Sequence, residues 1–585
     1  MTLRASVIGT LVGLASASLN CRPNGSVVPR PTDLSKSPVF AAALSNLTDA
    51  LQKAVDGEIN GGWPMENSSF SLGVVSISQE DPGVPIWEFH HLSEKNVNGT
   101  KEIGRDSQYL IGSISKVFSD LVLLKSGVDL DSPVQEYLPA LDGGLIDWKD
   151  ITLRDLGNHQ SGITPNPAGF SEYYYLKSLF ELLGFPPIED TEYPTCGVIS
   201  LNGPCAEKEY LQELAAGYPV APPAKTPVYS SIGFSTFILA LEKATGKKYA
   251  ELIEEYITVP LGLKSTAPSP GNTDKAVVPP GDSSWGSDYG LDAPGGGLYS
   301  TLSDLSAFLH GILTKSDKIL PTATDINAWL KPNSATGGLH SLVGLPWEIY
   351  RADELTPEHP HVIDIYAKGG GAYGYRSQVA LLDDYGLGLV ILTAGPGMAM
   401  TPIYEAMLSV LVPAADEAAR QQAEGKYTGS FKAEDDVAVE AKMVLDGDSV
   451  VIESLTRNGS DIIEGIQEIF NQGLGSIMGF SVSTPRLFPT EIEVRGTVAD
   501  GQGNYEREVI REDWRMTWGN FSGLPQGELP GVGATGKDCL MWTLADWLHY
   551  GREPLDRFVF VRDAGTGEVL GVEVPFLRAG LLRRS

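Results

Sequence analysis

At 585 residues the chain is too long for one ordinary hydrophobic core, so two or three domains are expected. Hydrophobic residues make up 42% of it and no low-complexity tract interrupts them, as in a globular protein. A formal net charge of −31 argues against nucleic acid or an anionic membrane surface as a partner and suits a secreted protein.

Arg4, the apolar stretch from Val7 to Leu14 and the small-x-small run Ala15-Ser16-Ala17 read as a signal peptide over 1–17, leaving 18–37 as an N-terminal extension. Six N-x-S/T sequons, at Asn24, Asn46, Asn67, Asn98, Asn458 and Asn520, agree with an extracellular location as candidate glycosylation sites. No later segment has a membrane-spanning apolar run, and the C-terminal Leu581-Leu-Arg-Arg-Ser585 is too polar for a lipid-anchor tail. Pro38 to Val55 has the spacing of an amphipathic helix, and 71–78 and 86–90 read as the strands of a hairpin.

The run Tyr109-Leu-Ile-Gly-Ser-Ile-Ser-Lys-Val-Phe-Ser-Asp follows, and its Ser113-Ile-Ser-Lys116 carries the most chemistry. Apolar positions Val117, Leu121 and Leu124 continue at helical spacing, so Ser113 lies near a helix N-terminus, where free N–H groups and the dipole favour developing negative charge. Lys116, three residues on, shares a face with it. A lysine that close can take the hydroxyl proton if burial and neighbouring charge lower its pKa, which makes Ser113 a candidate nucleophile.

Helical segments fill the 120s to the 250s. Strands return after Pro360, at 375–382 and 387–393, joined by Asp383-Asp-Tyr-Gly386, and Met400 to Val412 closes this unit as an apolar helix. One sheet is therefore built from both ends of the first 415 residues, with a helical lobe inserted between them. From about Tyr427 the texture changes to short alternating strands, among them 437–445, 448–453, 491–496, 506–512 and 558–562, which implies a separate β-sandwich or barrel. Cys196 and Cys205 bracket a short Gly/Pro-containing loop and form the natural disulfide pair; by elimination Cys21 is left to bridge Cys539, although sequence does not fix connectivity.

Five further segments extend the Ser113 motif. Ile151-Thr-Leu-Arg-Asp-Leu-Gly-Asn-His-Gln-Ser-Gly-Ile163 closely resembles the I-T-x-R-x-L-L-x-H-x-S-G-L stretch of the serine β-lactamase-like hydrolases. Tyr229-Ser-Ser231 falls where that family carries Y-x-N, Val259-Pro-Leu-Gly-Leu263 resembles its P-L-G-M, and Lys368-Gly-Gly370 falls where it has K-T-G or H-x-G. Pro294-Gly-Gly-Gly-Leu-Tyr-Ser-Thr301 resembles its A-G-G-L-x-S-T. The resemblance spans roughly 38–415, in family order, and is to the class C β-lactamase, esterase and D-peptidase branch; the added C-terminal β domain is similar to that of secreted fungal relatives. It implies an α+β fold, an antiparallel sheet flanked by helices with an inserted helical lobe, over 38–418, followed by a small β-sandwich or barrel domain over 419–585.

The resemblance also implies roles. Ser113 attacks a carbonyl and becomes acylated, Lys116 shares its proton, and Tyr229 completes the base pair and relays the proton to the leaving group, its pKa pulled down by Lys116 and Lys368. The backbone N–H groups of Ser113 and Gly371 hold the oxyanion. His159 is expected to be a structural hydrogen-bonding residue beside the site, and Arg154 and Asp155 a local ion pair. Ser231 replaces the asparagine, and Gly369 the threonine, whose polar groups bind a β-lactam, so acyl chemistry is expected to be kept and β-lactam recognition lost.

The expected function is a secreted serine hydrolase of a small-molecule ester, lactone or amide. The alternatives are an acyltransferase acting on a small natural product and a non-catalytic binding protein on a hydrolase scaffold. The insertion from Pro165 to Pro223, with Tyr173-Tyr-Tyr175, Phe180 and Phe185, is a candidate roof over the cleft if it is not simply core. No cofactor is implied and no metal either: the histidines do not cluster beyond His90-His91, which on one strand point to opposite faces.

Overall fold

The structure is a computed structural model that describes residues 22–96, 98–165, 173–189, 196–197, 202–433, 437–478, 483–499, 506–519 and 541–585. The expected signal peptide, Cys21, Cys539 and Asn520 lie outside the described residues, as do the side chains of Tyr173, Tyr174 and Tyr175. The chain falls into two compact units, 30–418 and 419–585, the second joined by the described residues 22–29.

The first unit begins with helix α1 (Pro38–Val55), at the predicted bounds. Ser37 caps it, its Oγ accepting from the Phe40 N–H, and Pro38 at the first position has no N–H to leave unpaired. Phe40, Ala43, Leu47, Leu51 and Ala54 are buried along one stripe. The sheet comprises β1 (Ser69–Ser76), β2 (Trp87–His91), β3 (Ser334–Ala335), β4 (Ser341–Val343), β5 (Glu348–Ala352), β6 (Ile363–Ala372), β7 (Tyr375–Leu382) and β8 (Leu387–Ala394). Its order is β2-β1-β8-β7-β6-β5-β4-β3, antiparallel throughout, so the two ends of the unit meet where β1 pairs β8. β1 and β8 are buried at every position, because layers cover both faces of the sheet there. The lobe inserted between β2 and β3 holds α2 (Ser115–Lys125), α3 (Leu153–Gly157), α4 (Ser231–Thr245) and α5 (Leu302–Leu313).

The expected ion pair between Arg154 and Asp155 does not form. Asp155 is the third residue of α3 and closes a capping box, its Oδ2 accepting from the Thr152 N–H at 3.0 Å while Thr152 Oγ1 accepts from the Asp155 N–H at 3.1 Å. Arg154, pointing from the next position of the turn, pairs with Asp131 at 2.7 Å instead. Adjacent helical positions do not face each other, so the cap wins Asp155.

α6 (Met400–Tyr427) runs far past the expected end at Val412 and passes through Pro413. A mid-helix proline costs about 3 kcal/mol, but the stretch after it is rich in strong helix formers, and Ala414, Ala415, Ala418, Ala419 and Ala423 are all buried.

The second unit is a closed barrel of β9 (Gly429–Lys432), β10 (Val439–Leu445), β11 (Val450–Arg457), β13 (Ser483–Ala499), β14 (Glu506–Gly519), β15 (Arg557–Asp563), β16 (Val569–Glu573) and β17 (Leu581–Arg584), with the short β12 (Ser460–Asp461) hanging on β11. The strand order is β10-β9-β17-β16-β15-β14-β13-β11, and β11 returns to pair with β10. The β9–β17 and β10–β11 ladders close the ring of strands. Tyr427, Trp514 and Phe560 pack inside it with ring centroids 4.8–5.0 Å apart.

Of the sequons, Asn24, Asn46, Asn98 and Asn458 are exposed, whereas Asn67 is half-buried and lines the cleft described below. Among the described residues no helix is long and apolar enough to cross a membrane.

Candidate active site

The strand pair of residues 109–110 and 298–300 leads into a tight turn, Gly112–Ile114, that feeds directly into α2. This turn lies against β6 with almost no space between the two backbones. Gly112 adopts a left-handed φ of +52°, and a Cβ there would stand 2.3 Å from the Gly371 nitrogen. A Cβ on Gly370 would stand 2.0 Å from the Ile111 carbonyl oxygen, and Ser377 Oγ donates to that same oxygen at 2.7 Å. Glycine is required on both sides of the contact. The Ser113 backbone is thereby held beside the Gly371 amide, the juxtaposition an oxyanion pocket needs.

Lys116, fully buried on the first turn of α2, donates to Ser113 Oγ at 3.0 Å, to Ser231 Oγ at 3.2 Å and to the Gly295 carbonyl. Burial, reinforced by the Lys368 ammonium, lowers its pKa, against the opposing pull of Tyr229. Tyr229 precedes α4, whose N-terminus is set by Ser230: its Oγ donates to the Thr164 carbonyl at 2.8 Å and accepts from the Gly233 N–H at 3.1 Å. The Tyr229 ring lies between two ammonium groups, with Lys116 Nζ 4.9 Å and Lys368 Nζ 5.0 Å from its centroid. Burial favours the neutral phenol, but the two lysines and the contact with Ser113 outweigh it and hold the pKa below its ordinary value. The residue is still 41% exposed.

Lys368, on β6, is 1% exposed and donates to Glu348 Oε1 of β5 at 2.5 Å. Burial opposes its charge, yet Glu348 and Tyr229 together raise its pKa, so it stays cationic. His159 stacks on Tyr229, centroids 4.5 Å apart, and its Nδ1 accepts from the Ser230 N–H at 3.1 Å. Burial and the two lysines push its pKa well below the usual imidazole value. It is therefore a neutral wall that fixes the tyrosine, with the nitrogen a base would use already occupied.

The structure thus gathers Ser113, Lys116, Tyr229, Ser231, Lys368 and Gly371 at one place. Two contributors were not identified from sequence. Glu348 reaches Lys368 only through the β5–β6 register, which local pattern does not encode, and the Gly295 carbonyl is backbone within the quoted Gly-rich run. The cleft in front of Ser113 has a volume of about 1310 Å³ and is also lined by Tyr210, Glu213, Asp292 and Arg376. The Cys196–Cys205 disulfide, with Cα atoms 4.9 Å apart, borders it. Leu182, Leu183 and Phe185 of the insertion are exposed rather than core. Among the described residues no cluster of three or more His, Cys, Asp or Glu is placed to hold a metal ion.

Residues 85–412 match the family described as beta-lactamase, and residues 419–585 match the one described as beta-lactamase-like-like, C-terminal domain. A beta-lactamase-like protein of Arthroderma benhamiae is 44% identical over 98% of this chain and 97% of its own length. A probable hydrolase of a Phoma species is 28% identical over 97% of this chain and 92% of its own. Among solved structures, a D-stereospecific amidohydrolase from a Streptomyces species covers 63% of this chain and 98% of its own, at 20% identity and a TM-score of 0.45. With more than half of its length matched, and a relative that close along nearly all of it, the chain belongs to the β-lactamase family of β-lactamase-like hydrolases.

Proposed function

We propose that the protein is a secreted serine hydrolase that forms an acyl-enzyme on Ser113 and cleaves an ester, lactone or amide of a small molecule. The observation that carries this reading is the buried Lys116 bonded to Ser113 Oγ at 3.0 Å beside a tyrosine held between two lysines. Tyr229 and Lys116 together take the Ser113 proton as Oγ attacks the substrate carbonyl. The resulting oxyanion faces the Ser113 and Gly371 amides. Collapse breaks the bond to the leaving group, which departs with the proton from Tyr229. Water then attacks the acyl-serine with the same residues acting in turn, releasing the acid and restoring Ser113. Relatives named as probable hydrolases support a hydrolytic outcome.

β-Lactam recognition is expected to be weak. The Ser231 hydroxyl accepts from Lys116 and is too short to replace an amide reaching into the cleft, and Gly369 offers no hydroxyl. The test is intact-mass analysis of the deglycosylated protein after brief exposure to activated esters and a penicillin, with Ser113→Ala alongside. An acyl mass gain from esters, absent in the variant and absent with penicillin, is expected. No adduct and no turnover with any donor would overturn the catalytic reading in favour of a binding role.

A further inference from the structure

Along β6 the site has a direction. Tyr229, which in the hydrolase reading returns the proton to the leaving group, lies between Lys116 and Lys368, and of these only Lys368 is on β6, so in that reading the leaving group departs at the Lys368 end of the strand. Gly371 lies three residues further along the strand, about 10 Å away, and the acyl chain extends past it toward the hairpin that joins β6 to β7. Arg376 stands there. It pairs with Gly371 across the β6–β7 ladder, and its side chain lies over that glycine: a Cβ on residue 371 would be 2.0 Å from Arg376 Nη1. On the other side a Cβ on Gly397 would be 3.2 Å from Arg376 Nε. Two missing side chains therefore make the slot in which the guanidinium rests, on the wall of the cleft and exposed to it.

The charge of Arg376 is also unspent. The catalytic unit contains five arginines, and four of them hold carboxylates: Arg30 with Asp383, Arg105 with Glu88, Arg154 with Asp131 and Arg351 with Asp364. The Arg376 guanidinium has no hydrogen-bond or ion-pair partner among the described residues, in a chain where acidic side chains outnumber basic ones 74 to 43. A rigid planar fork left open beside an oxyanion pocket matches a carboxylate in two parallel hydrogen bonds.

We propose that Arg376 binds a carboxylate carried on the acyl part of the substrate, so that the preferred substrates are half-esters or half-amides of dicarboxylic acids. This assignment rests on the hydrolase reading above and adds to it the class of acyl group. It differs from recognition of a carboxylate on the leaving group, which would fall to Lys368, already paired with Glu348.

The test compares p-nitrophenyl hemisuccinate with p-nitrophenyl butyrate, acyl groups of equal carbon number that differ in the terminal carboxylate, with the Ser113→Ala rate subtracted as background. The wild-type protein is expected to favour the hemisuccinate in kcat/KM, and Arg376→Gln to lower the ratio of the two values about 10- to 100-fold, as loss of a charge-assisted pair does. Arg376→Lys should fall between them. Both esters are read on the same folded fraction, so incomplete folding of a variant cancels in the ratio. A ratio altered less than about threefold, or a wild-type preference for butyrate, would overturn the proposal. If neither ester is turned over, the hydrolase reading fails on its own, and calorimetric titration with monomethyl succinate decides the site. Binding weakened at least about tenfold in Arg376→Gln supports it, and equal or absent binding to both proteins refutes it.

Discussion

Each candidate catalytic group owes its protonation state to its neighbours. Lys368 is kept cationic by Glu348, and in turn lowers the pKa of both Tyr229 and Lys116. Removing that charge by Lys368→Met lets both groups drift back up toward their ordinary values. The acylating form needs the pair deprotonated, so the acidic limb of the kcat/KM profile should move to higher pH, and activity near neutrality should fall at least about tenfold. A profile measured with one neutral ester checks this, and a limb that stays put or moves down would remove Lys368 from the machinery. How much of the site was legible follows from the range of each contact. Ser113 and Lys116 lie one helical turn apart, and Tyr229, Lys368 and Gly371 are carried by motifs in family order. Glu348 and the reach of Arg376 across Gly371 depend on which strands lie side by side, and no local pattern states that.

At the scale of the element, α1 and the strand pairs β1–β2 and β7–β8 were readable because their periodicity, caps and turns are local. The misread elements are those where a local rule met a stronger local or tertiary term. Pro413 signals a helix end, yet helix propensity and buried alanines carry α6 through it. Arg154 beside Asp155 suggests a pair, yet the capping box claims the aspartate. The two interactions predict opposite sensitivities. Thr152→Ala opens the capping box in a helix that packs against α4 in the catalytic lobe, and should cost about 1 kcal/mol in denaturant unfolding. Arg154→Ala removes only a pair whose side chains are 42% and 66% exposed, and should cost under about 0.5 kcal/mol. Comparable losses for the two would mean that the Arg154–Asp131 pair holds the turn and the cap does not.

Across the whole molecule, alternation in the last 160 or so residues revealed short strands with one buried face, as in either a sandwich or a barrel. The choice is made by a long-range event, the pairing of the C-terminal β17 with β9, which sets Phe431 opposite Arg584 and Lys432 opposite Arg583. That pairing is invisible to pattern because any two alternating strands are eligible partners. Charge, by contrast, is a global property read directly from composition. A formal net charge of −31 spread over folded units of fixed size means that compaction brings like charges together, and expansion on unfolding relieves them. Counter-ions screen this repulsion beyond about 10 Å at 0.1 M and about 3 Å at 1 M. Added sodium chloride should therefore stabilise the folded chain, raising Tm on the order of 2–4 °C between low and moderate ionic strength. The exposed ion pairs that salt also weakens contribute little each. Melts of the protein across a salt series, at constant pH above the sequence pI of 4.6, measure the balance. A Tm that falls with salt would show that the paired carboxylates, among them Glu88, Asp383 and Asp513, contribute more to the fold than the excess negative charge takes away.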